Sequence, residues 1–267
     1  NQNCSVQGNC RFGGIGLGIA ITQSNGANPR VEGLKISDTT FINTGEKNVS
    51  IGNSLFTGIT GCVLDQAGTY SVTVQDGADG VLIDGNWLGM QSVSSGINIL
   101  IDETAGGNHI ISNNIMLGGT ACINVQASAS LRVTRGVIDG NIFTRASDYT
   151  LNFDSALYWT IVNNQDGGTP TSGSWITTGT HASGGEYVFD NNKWHTVTPA
   201  LFHTGSIYRG GNDTGIVWRN TGVVNVTTAT STTVSHGCFR TPAYVGFSIE
   251  GANLGEQWLT AVGATQF

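Results

Sequence analysis

Short apolar stretches, broken by glycine and asparagine, recur along this chain. GVLIDGNWLG (80–89) returns as HIISNNIMLGG (109–119), GVIDGNIF (136–143) and YVFDNNKW (187–194). A second series runs between them: GINILI (96–101), ACINVQ (121–126), YTLNFD (149–154), SWITTG (174–179) and PALFHT (199–204). Most members of the second series alternate apolar and polar residues, and a period of two predicts short β-strands with one buried face.

Each copy of the first series contains an apolar anchor. The anchors are Ile36, Ile51, Ile83, Ile111, Ile138, Val162 and Phe189. A period in the twenties, with two or three short strands per copy, predicts a solenoid. Because one coil cannot bury its apolar face alone, stacked coils favour an all-β, right-handed parallel β-helix. The alternative, a β-sandwich, would place a strand every 8 to 12 residues or so and show no long-period echo.

Asparagine stands three residues after four of the anchors. These residues are Asn86, Asn114, Asn141 and Asn192. Asparagine tolerates the left-handed conformation that a sharp turn requires, and stacked amides form hydrogen-bonded ladders. We therefore expect the repeated Asn to form a corner of each coil, called a rung below.

The repeat stops after about residue 211. The remainder, residues 212–267, predicts four or five short antiparallel strands with Gly and Pro turns. A solenoid needs a cap over its last rung. We therefore expect a β-helix over residues 1–211 and a small antiparallel cap, a trimerisation or binding module, over residues 212–267.

The end of the chain resembles the terminal module of bacteriophage tailspike and tail fibre proteins. The matching residues are Thr232, Val234, His236 and Gly237, then Thr241, Pro242 and Val245, then Trp258, and finally Ala264, Thr265 and Phe267. Joined to a β-helix, this resemblance implies an extracellular location on the virion, in the phage tail. It also implies a homotrimer that contacts other phage tail proteins and binds, and in some members cleaves, bacterial surface polysaccharide.

Composition narrows the range of partners. Charged residues are only 11% and the net charge is −7, so no basic stripe is present and we expect no nucleic acid partner. No apolar run is long enough for membrane insertion. The first residue is Asn rather than Met, so we expect a processed product or a fragment. Among five cysteines, Cys4 and Cys10 are close enough in sequence to close a small loop.

Three aspartates share one position in the repeat. The residue after an anchor points outward, which places Asp84, Asp139 and Asp190 on alternate rungs of one column, about 9.6 Å apart at ~4.8 Å per rung. Inverting glycosidases hold their carboxylates roughly 6.5–9.5 Å apart, which makes these three residues candidate catalytic acids. The interpretation we favour is that each Asp caps the Gly-Asn or Asn-Asn turn that follows it.

A fourth aspartate precedes two aromatic residues. Asp154, Tyr158 and Trp159 lie in LNFDSALYW (151–159), and rings beside an acid suit a sugar. We expect these three residues to form part of a glycan-binding groove, with Asp154 also a candidate catalytic acid. The alternative is that the rings are buried in a rung or in a subunit contact. Further acids in the same strand series are Asp65, Asp102 and Glu103.

No cofactor motif is present. The histidines show no paired spacing and no acidic or cysteine partner at ligand spacing, so we expect no metal. These histidines are His109, His181, His195, His203 and His236. A phosphate-binding loop, a dinucleotide fingerprint and a serine-hydrolase elbow are all missing, so we expect no organic cofactor.

Three functions fit these observations. The first is a receptor-binding or structural protein of a phage tail, non-enzymatic or weakly enzymatic, that engages surface glycans. The second is a β-helical polysaccharide depolymerase, more readily a hydrolase than a lyase, because no cluster of Arg or Lys with an acid stands on neighbouring rungs. The third is a secreted adhesin or pectin-binding solenoid.

Overall fold

The computed structural model describes residues 4–21, 30–90, 95–126, 133–144, 146–153, 156–167, 176–178, 186–194 and 207–210. Within these residues every regular element is a β-strand, with a length of two to seven residues. The predicted cap at residues 212–267 and the predicted strand at residues 199–204 lie outside the described residues.

In chain order, the strands are β1 (Ser5–Gln7), β2 (Arg11–Gly13), β3 (Leu17–Ile21), β4 (Val31–Glu32), β5 (Lys35–Ser37), β6 (Thr40–Ile42), β7 (Lys47–Gly52), β8 (Ser54–Leu55), β9 (Gly58–Thr60), β10 (Val63–Asp65), β11 (Tyr70–Gln75), β12 (Leu82–Asp84), β13 (Trp87–Met90), β14 (Ile97–Ile101), β15 (His109–Ser112), β16 (Ile115–Gly118), β17 (Ala121–Val125), β18 (Val133–Asp139), β19 (Ile142–Thr144), β20 (Tyr149–Phe153), β21 (Ala156–Val162), β22 (Gln165–Asp166), β23 (Ile176–Thr178), β24 (Glu186–Asp190) and β25 (Ile207–Gly210).

The strands stack into three long parallel sheets, so the predicted parallel β-helix is confirmed. Sheet 1 has the order β1-β5-β9-β12-β15-β18-β21-β24-β25, sheet 2 has β2-β6-β10-β13-β16-β19-β22, and sheet 3 has β3-β7-β11-β14-β17-β20-β23. A short pair, β4 and β8, adds a fourth side to the early rungs. The second sequence series forms sheet 3 wherever it is described.

Each long sheet contributes columns of inward-facing apolar side chains. The inward column of sheet 1 is Ile36, Ile59, Ile83, Ile111, Ile138, Ile161 and Phe189. The column of sheet 2 includes Phe41, Leu64, Leu88, Met116 and Phe143. All of these side chains are at most 1% exposed. One continuous core therefore runs along the axis of the solenoid.

Two of the seven predicted anchors are wrong. Ile51 belongs to sheet 3, where it pairs with Val74, and the sheet 1 position in that rung is held by Ile59. Val162 lies one residue beyond the true core position, Ile161. With these corrections, the spacing along the column is 23 to 28 residues throughout. The predicted anchors Ile36, Ile51 and Ile83 are unevenly spaced because Ile51 belongs to a different sheet.

Sheet 1 ends at a corner that every described rung builds in the same way. The second residue after the core position has positive φ, which is 81° at Gly8 in the first rung and from 50° to 65° in the seven rungs from Ile36 onward. We call this corner, where the chain leaves sheet 1, the second corner. In the seven rungs from Ile36 onward its left-handed residues are Asp38, Gly61, Gly85, Asn113, Gly140, Asn163 and Asn191. Glycine has no Cβ to clash, and Asn and Asp tolerate this region better than other residues, so the sequence follows steric preference at all seven positions.

The next residue of five successive rungs is a buried asparagine. Asn86, Asn114, Asn141, Asn164 and Asn192 are all at most 2% exposed. In the rung of Asn141, the amide Nδ2 donates to Ile111 O (2.9 Å) and to Asn164 Oδ1 (3.0 Å). Its Oδ1 accepts from the backbone N and from Nδ2 of Asn114, both at 3.0 Å. The asparagines therefore form a continuous hydrogen-bonded ladder inside the corner.

The ladder confirms the predicted stacking of the asparagines but changes their place in the turn. The residue in the left-handed conformation is the one before each ladder Asn, and the ladder Asn itself points into the core. Asn164 also belongs to the ladder. The sequence prediction missed it because the anchor was placed at Val162 and not at Ile161. The side chains satisfy backbone groups that the corner removes from the sheet pairing.

The cysteines are free thiols. Cys4, Cys10, Cys62 and Cys122 form no disulfide, and Cys238 lies outside the described residues. Cys10 Sγ instead lies 3.6 Å from Gln7 O. The loop between Cys4 and Cys10 is therefore not closed by a covalent bond.

We predict that removing one asparagine of the ladder greatly lowers the stability of the fold. Replacing Asn141 with Ala leaves the Asn114 backbone N and Ile111 O buried without a partner. We expect the free energy of unfolding to fall by about 2–5 kcal/mol, measured by equilibrium urea denaturation.

A matched control lies one residue from the ladder. Asn113 is exposed, has φ 54° and gives up only its bond to Asp84 Oδ1 (2.9 Å) when it becomes Gly. Asn113→Gly should change the unfolding free energy by less than about 1 kcal/mol. Equal losses in Asn113→Gly and Asn141→Ala would contradict a special role for the ladder.

Candidate functional site

The three aspartates of the predicted column stand where the repeat places them. Asp84 pairs with Ser112, Ser112 with Asp139, Asp139 with Val162, and Val162 with Asp190. They therefore occupy alternate rungs on the outer face of sheet 1, beside the second corner. At ~4.8 Å per rung, consecutive aspartates are about 9.6 Å apart.

These carboxylates bond to the corner of the following rung. Asp84 Oδ1 accepts from Ser112 Oγ (2.7 Å) and from Asn113 Nδ2 (2.9 Å). Asp139 Oδ1 accepts from Asn163 Nδ2 at 2.9 Å. The favoured interpretation is that each Asp caps the turn that follows it in its own rung. These bonds instead reach the turn of the next rung.

The opposite edge of the same face carries a second row of left-handed residues, which we call the first-corner row. It consists of Gly33, Phe56, Gly80, Asn108, Arg135 and Tyr158, with φ between 54° and 65°. The residue after each of them points into the core, as at the second corner. The two corners thus impose the same backbone conformation, yet only the first-corner row contains Phe, Arg and Tyr.

This difference in residue type has an energetic meaning. A non-glycine residue held in the left-handed region costs about 1–3 kcal/mol, and such residues cluster at functional sites. Asn reduces the cost by bonding locally, but Phe56, Arg135 and Tyr158 have no comparable means. Glycine would fit all three positions without strain, so these side chains are retained against the preference of the backbone.

The side chains of this row are exposed. Tyr158 is 55% exposed and Phe56 72%, while Asn108 and Arg135 also face solvent. Arg135 and Tyr158 stand on adjacent rungs, since Gly136 pairs with Trp159. From Phe56 to Tyr158 the row covers four rung steps, about 19 Å along the axis. That length suits an extended polymer lying parallel to the solenoid.

One ring contact and one hydrogen bond fix the early part of the row. The Phe56 ring lies over Gly80 of the next rung, because a Cβ built on Gly80 would meet Phe56 Cδ1 at 2.9 Å. Asn108 Nδ2 donates to Asp79 Oδ1 at 3.0 Å. The ring and the amide are therefore held in position before any ligand arrives.

Aliphatic side chains form the surface between the two edges. The outward column is Leu82, Ile110, Val137, Thr160 and Val188. Ile110 is 43% exposed. Along one strand, four residues separate Arg135 from Asp139, which places the two edges about 13 Å apart. From Leu82 to Val188 the outer face of sheet 1 is thus a largely apolar strip. Asn108, Arg135 and Tyr158 stand on one edge and Asp84, Asp139 and Asp190 on the other, although the first edge also carries Asp79 and Glu186.

The structure separates the three residues of the predicted glycan groove. Tyr158 faces solvent, Trp159 is fully buried, and Asp154 lies outside the described residues. The Trp159 ring packs against Phe153, with centroids 5.6 Å apart, and lies against Gly136 of the preceding rung. A ring with no exposed area has no face to offer a sugar, so Trp159 serves the core.

Sequence reasoning missed Phe56 and Arg135. Neither stands at an anchor or beside an acid, and the left-handed conformation of the row is set by the corner rather than by local residue preference. A signal was nonetheless present, because the equivalent positions of other rungs hold Gly33 and Gly80.

The remaining acids lie away from this face. Asp65 is on sheet 2, where partial burial raises the pKa of its carboxyl, and it shares the space over Gly89 with the Trp87 ring. Asp102 accepts from Thr104 N (3.0 Å) and Thr104 Oγ1 (2.8 Å) at the end of β14. Glu103 follows it in a turn. The structure does not bring Asp65 and Asp102 together.

His109 is the one histidine of the sequence pattern that falls among the described residues, and it is 1% exposed. Its Nδ1 accepts weakly from Val81 N, at 3.4 Å. Burial lowers the pKa of the imidazole to about 4, although the carboxylate of Asp79 opposes the shift. At neutral pH His109 is therefore an uncharged core residue.

Two kinds of feature are missing from the part of the chain that the structure describes. It contains no group of three or more His, Cys, Asp or Glu side chains arranged to hold a metal ion. It also contains no helix of the length and apolarity that a membrane crossing requires.

Comparison with known proteins gives two similar solved structures. The Agl-KA catalytic domain is 14% identical, with a TM-score of 0.41, over 74% of this chain and 40% of that chain. A tailspike protein of the E. coli bacteriophage HK620, in complex with a pentasaccharide, is 10% identical, with a TM-score of 0.35, over 71% of this chain and 48% of that chain. The chain thus spans less than half of either protein.

No family model matches this chain, and no curated protein matches it either. At these identities the two structural likenesses concern the fold alone. The assignment of a parallel β-helix rests on the strand pairing within the chain itself.

The contact between Gly136 and Trp159 predicts a steric penalty. A Cβ at residue 136 would meet three carbons of the Trp159 ring, and the ring is packed on every side. We expect Gly136→Ala to lower the unfolding free energy by about 1–3 kcal/mol, measured by urea denaturation.

The matched control is Gly58→Ala in the same sheet, because a Cβ at Gly58 meets nothing within 4 Å. It should leave stability within about 0.5 kcal/mol of the parent. If Gly136→Ala were as mild as Gly58→Ala, the indole would not occupy the space that Gly136 provides.

His109 predicts a loss of stability in mild acid. The unfolded chain binds a proton near pH 6.5 and the folded chain only near pH 4, so the folded state loses stability as pH falls through this window. The full loss is about 3 kcal/mol, and this residue adds no further loss below about pH 4.

Urea denaturation at about pH 7 and about pH 4.5 measures this effect. His109→Gln keeps an acceptor for Val81 N but does not titrate, so its stability should fall much less between the two conditions. An equal fall in parent and variant would assign the pH dependence to other groups.

Proposed function

We propose that the chain is a receptor-binding or structural protein of a phage tail, and that its β-helix binds bacterial surface glycans through the outer face of sheet 1. The observation that carries glycan binding is the first-corner row. It holds exposed aromatic and cationic side chains in a strained conformation that glycine would adopt freely.

The chemistry of the face suits an extended sugar polymer. Aromatic rings such as Tyr158 offer flat apolar surface with a polar tip. The carboxylates of Asp84 and Asp139 offer acceptors to sugar hydroxyls from the other edge, and the aliphatic strip between the edges suits the apolar faces of sugar rings. Donors, acceptors and stacking surface therefore occur on one continuous face.

The phage-tail context and the oligomeric state rest on a different observation. The resemblance of residues 232–267 to tailspike and tail fibre modules supports a location on the virion. It also supports a homotrimer and contacts with other tail proteins. These residues lie outside the described part of the chain, so the β-helix itself bears on glycan binding only.

A polysaccharide depolymerase is the second candidate. The observation in its favour is that Asp84 and Asp139 stand in one outward column two rungs apart. Their separation of about 9.6 Å is at the upper end of the range for inverting hydrolysis. Against it, both carboxylates are engaged by Asn side chains of the next rung.

Size-exclusion chromatography with light scattering, after incubation with a panel of bacterial surface polysaccharides, tests both candidates. Co-elution of intact polysaccharide with the protein supports a binding spike, and the mass of the protein peak reports its oligomeric state. Shortening of the polysaccharide by the parent chain but not by Asp139→Asn supports the depolymerase. No association with any polysaccharide would contradict glycan binding by the β-helix and would leave a structural tail component as the remaining account.

Tyr158→Gly gives the sharper prediction. Removing the ring should weaken glycan binding by about tenfold or more, because the ring is half-exposed and faces the ligand side. Glycine also relieves the left-handed strain, so stability should stay the same or rise. Biolayer interferometry measures the affinity, and thermal unfolding measures the stability.

Tyr70→Ala is the matched control, since Tyr70 is a partly exposed aromatic residue on sheet 3, beneath Lys47 Nζ at 5.7 Å. It should leave glycan affinity unchanged. If Tyr158→Gly kept full affinity and destabilised the fold, Tyr158 would be a structural residue and the proposed face would be wrong.

A further inference from the structure

The outer face of sheet 1 is electrically asymmetric. On the first-corner edge stands the cation Arg135, flanked by Asn108 and Tyr158 on the adjacent rungs. The opposite edge carries Asp139 on the rung of Arg135, Asp190 two rungs beyond it and Asp84 two rungs before it. On the rung of Arg135, a cation therefore faces a ligand from one edge and the Asp139 carboxylate faces it from the other.

Arg135 is free to bind a ligand. It is exposed, and within the described residues it forms no ion pair or hydrogen bond from its guanidinium. Two acids on this edge, Asp79 and Glu186, each stand two rungs from Arg135, and Asp79 accepts from Asn108 Nδ2. The left-handed φ of 62° makes this position costly for Arg. If Arg135 only placed a charge in solvent, nothing would offset the strain of an arginine at this position.

We infer that the first-corner row recognises an acidic sugar, with the sugar carboxylate paired to Arg135 and the ring hydroxyls directed to the aspartate edge. This inference rests on the proposed function and names the class of its ligand. The planar guanidinium presents a fork of N–H donors that matches a carboxylate. Tyr158, on the next rung, provides the stacking surface beside it.

The opposite edge restricts the ligand further. A densely charged polyanion would bring negative groups against Asp139 and Asp190, and the chain as a whole carries a net charge of −7. A polysaccharide with one acidic sugar per repeat avoids this repulsion, because its neutral sugars face the aspartates and donate hydroxyl protons to them. Nucleic acids and polyphosphates do not fit this pattern.

The test uses the full chain and an array of bacterial capsular polysaccharides that contain uronic acids. Each polymer is presented beside its own carboxyl-reduced form, in which the acid has become a primary alcohol. Arg135→Gln removes the charge and keeps much of the side chain. Arg11→Gln is the matched control, since Arg11 is an exposed arginine on sheet 2.

The expected result is binding of at least one acidic polymer with an affinity about fivefold to tenfold above that of its reduced form. Arg135→Gln should abolish this preference, whereas Arg11→Gln should keep it. The preference should also weaken as salt is raised, because the pair is exposed.

Three outcomes would overturn the inference. The first is equal binding of the acidic and reduced forms, and if Tyr158→Gly removes that binding, the proposed function stands without the acidic ligand. The second is an equal loss in the Arg135 and Arg11 variants, which would indicate a general charge effect. The third is that no acidic polymer binds while neutral surface polysaccharides do.

Discussion

Each rung of this solenoid must turn a corner while its side chains keep the same inward and outward positions as those of the rung below. The backbone meets this constraint with a single residue in the left-handed conformation, followed by a residue that points into the core. Between sheet 1 and sheet 2 the turn interrupts the regular strand pairing of neighbouring rungs, and it leaves backbone N–H and C=O groups inside the molecule. The packing of every later rung depends on how those groups are satisfied.

At the second corner, the answer is the asparagine ladder. An amide side chain is a donor and an acceptor at once. One Asn can therefore accept from the backbone amide of the preceding ladder Asn while it donates to a carbonyl of the preceding rung and to the side-chain oxygen of the next ladder Asn. Asn141 does so on both sides. The residue before each ladder Asn has positive φ, and Gly and Asn tolerate this conformation better than other residues.

The first corner uses the same backbone without the ladder. Its inward residues include His109 and Trp159, which mainly fill space, although His109 also accepts weakly from Val81 N of the preceding rung. Because the corner is held by packing, the outward residue at each position is not constrained to be small. The chain places Phe56, Arg135 and Tyr158 there, at the cost of strain. The first corner is therefore where the fold leaves room for large side chains on the outer face.

The sequence predicted the fold well because a long period with alternating strands has few other solutions. The sequence-based prediction was wrong where either of two adjacent residues could face the core. Ile161 and Val162 are adjacent aliphatics, and only the pairing of β21 with β24 shows which one faces inward. Tyr158 and Trp159 pose the same problem for an aromatic pair, and Gly136, one rung earlier, was the sign that the larger ring is inside.

The proposed binding face was harder to predict than the fold, and the reason is physical. The corner, and not the residue type, directs a side chain in the left-handed position outward. Neither residue propensity nor residue spacing in the sequence therefore reveals this orientation. The column of Asp84, Asp139 and Asp190 could be predicted, since strand alternation alone decides it. The opposite edge could not, because Arg135 and Phe56 match no motif. Arg135 and Phe56 stand out only when the two corners are compared. Both corners have the same backbone geometry, but the second corner holds Gly, Asn and Asp at the equivalent positions.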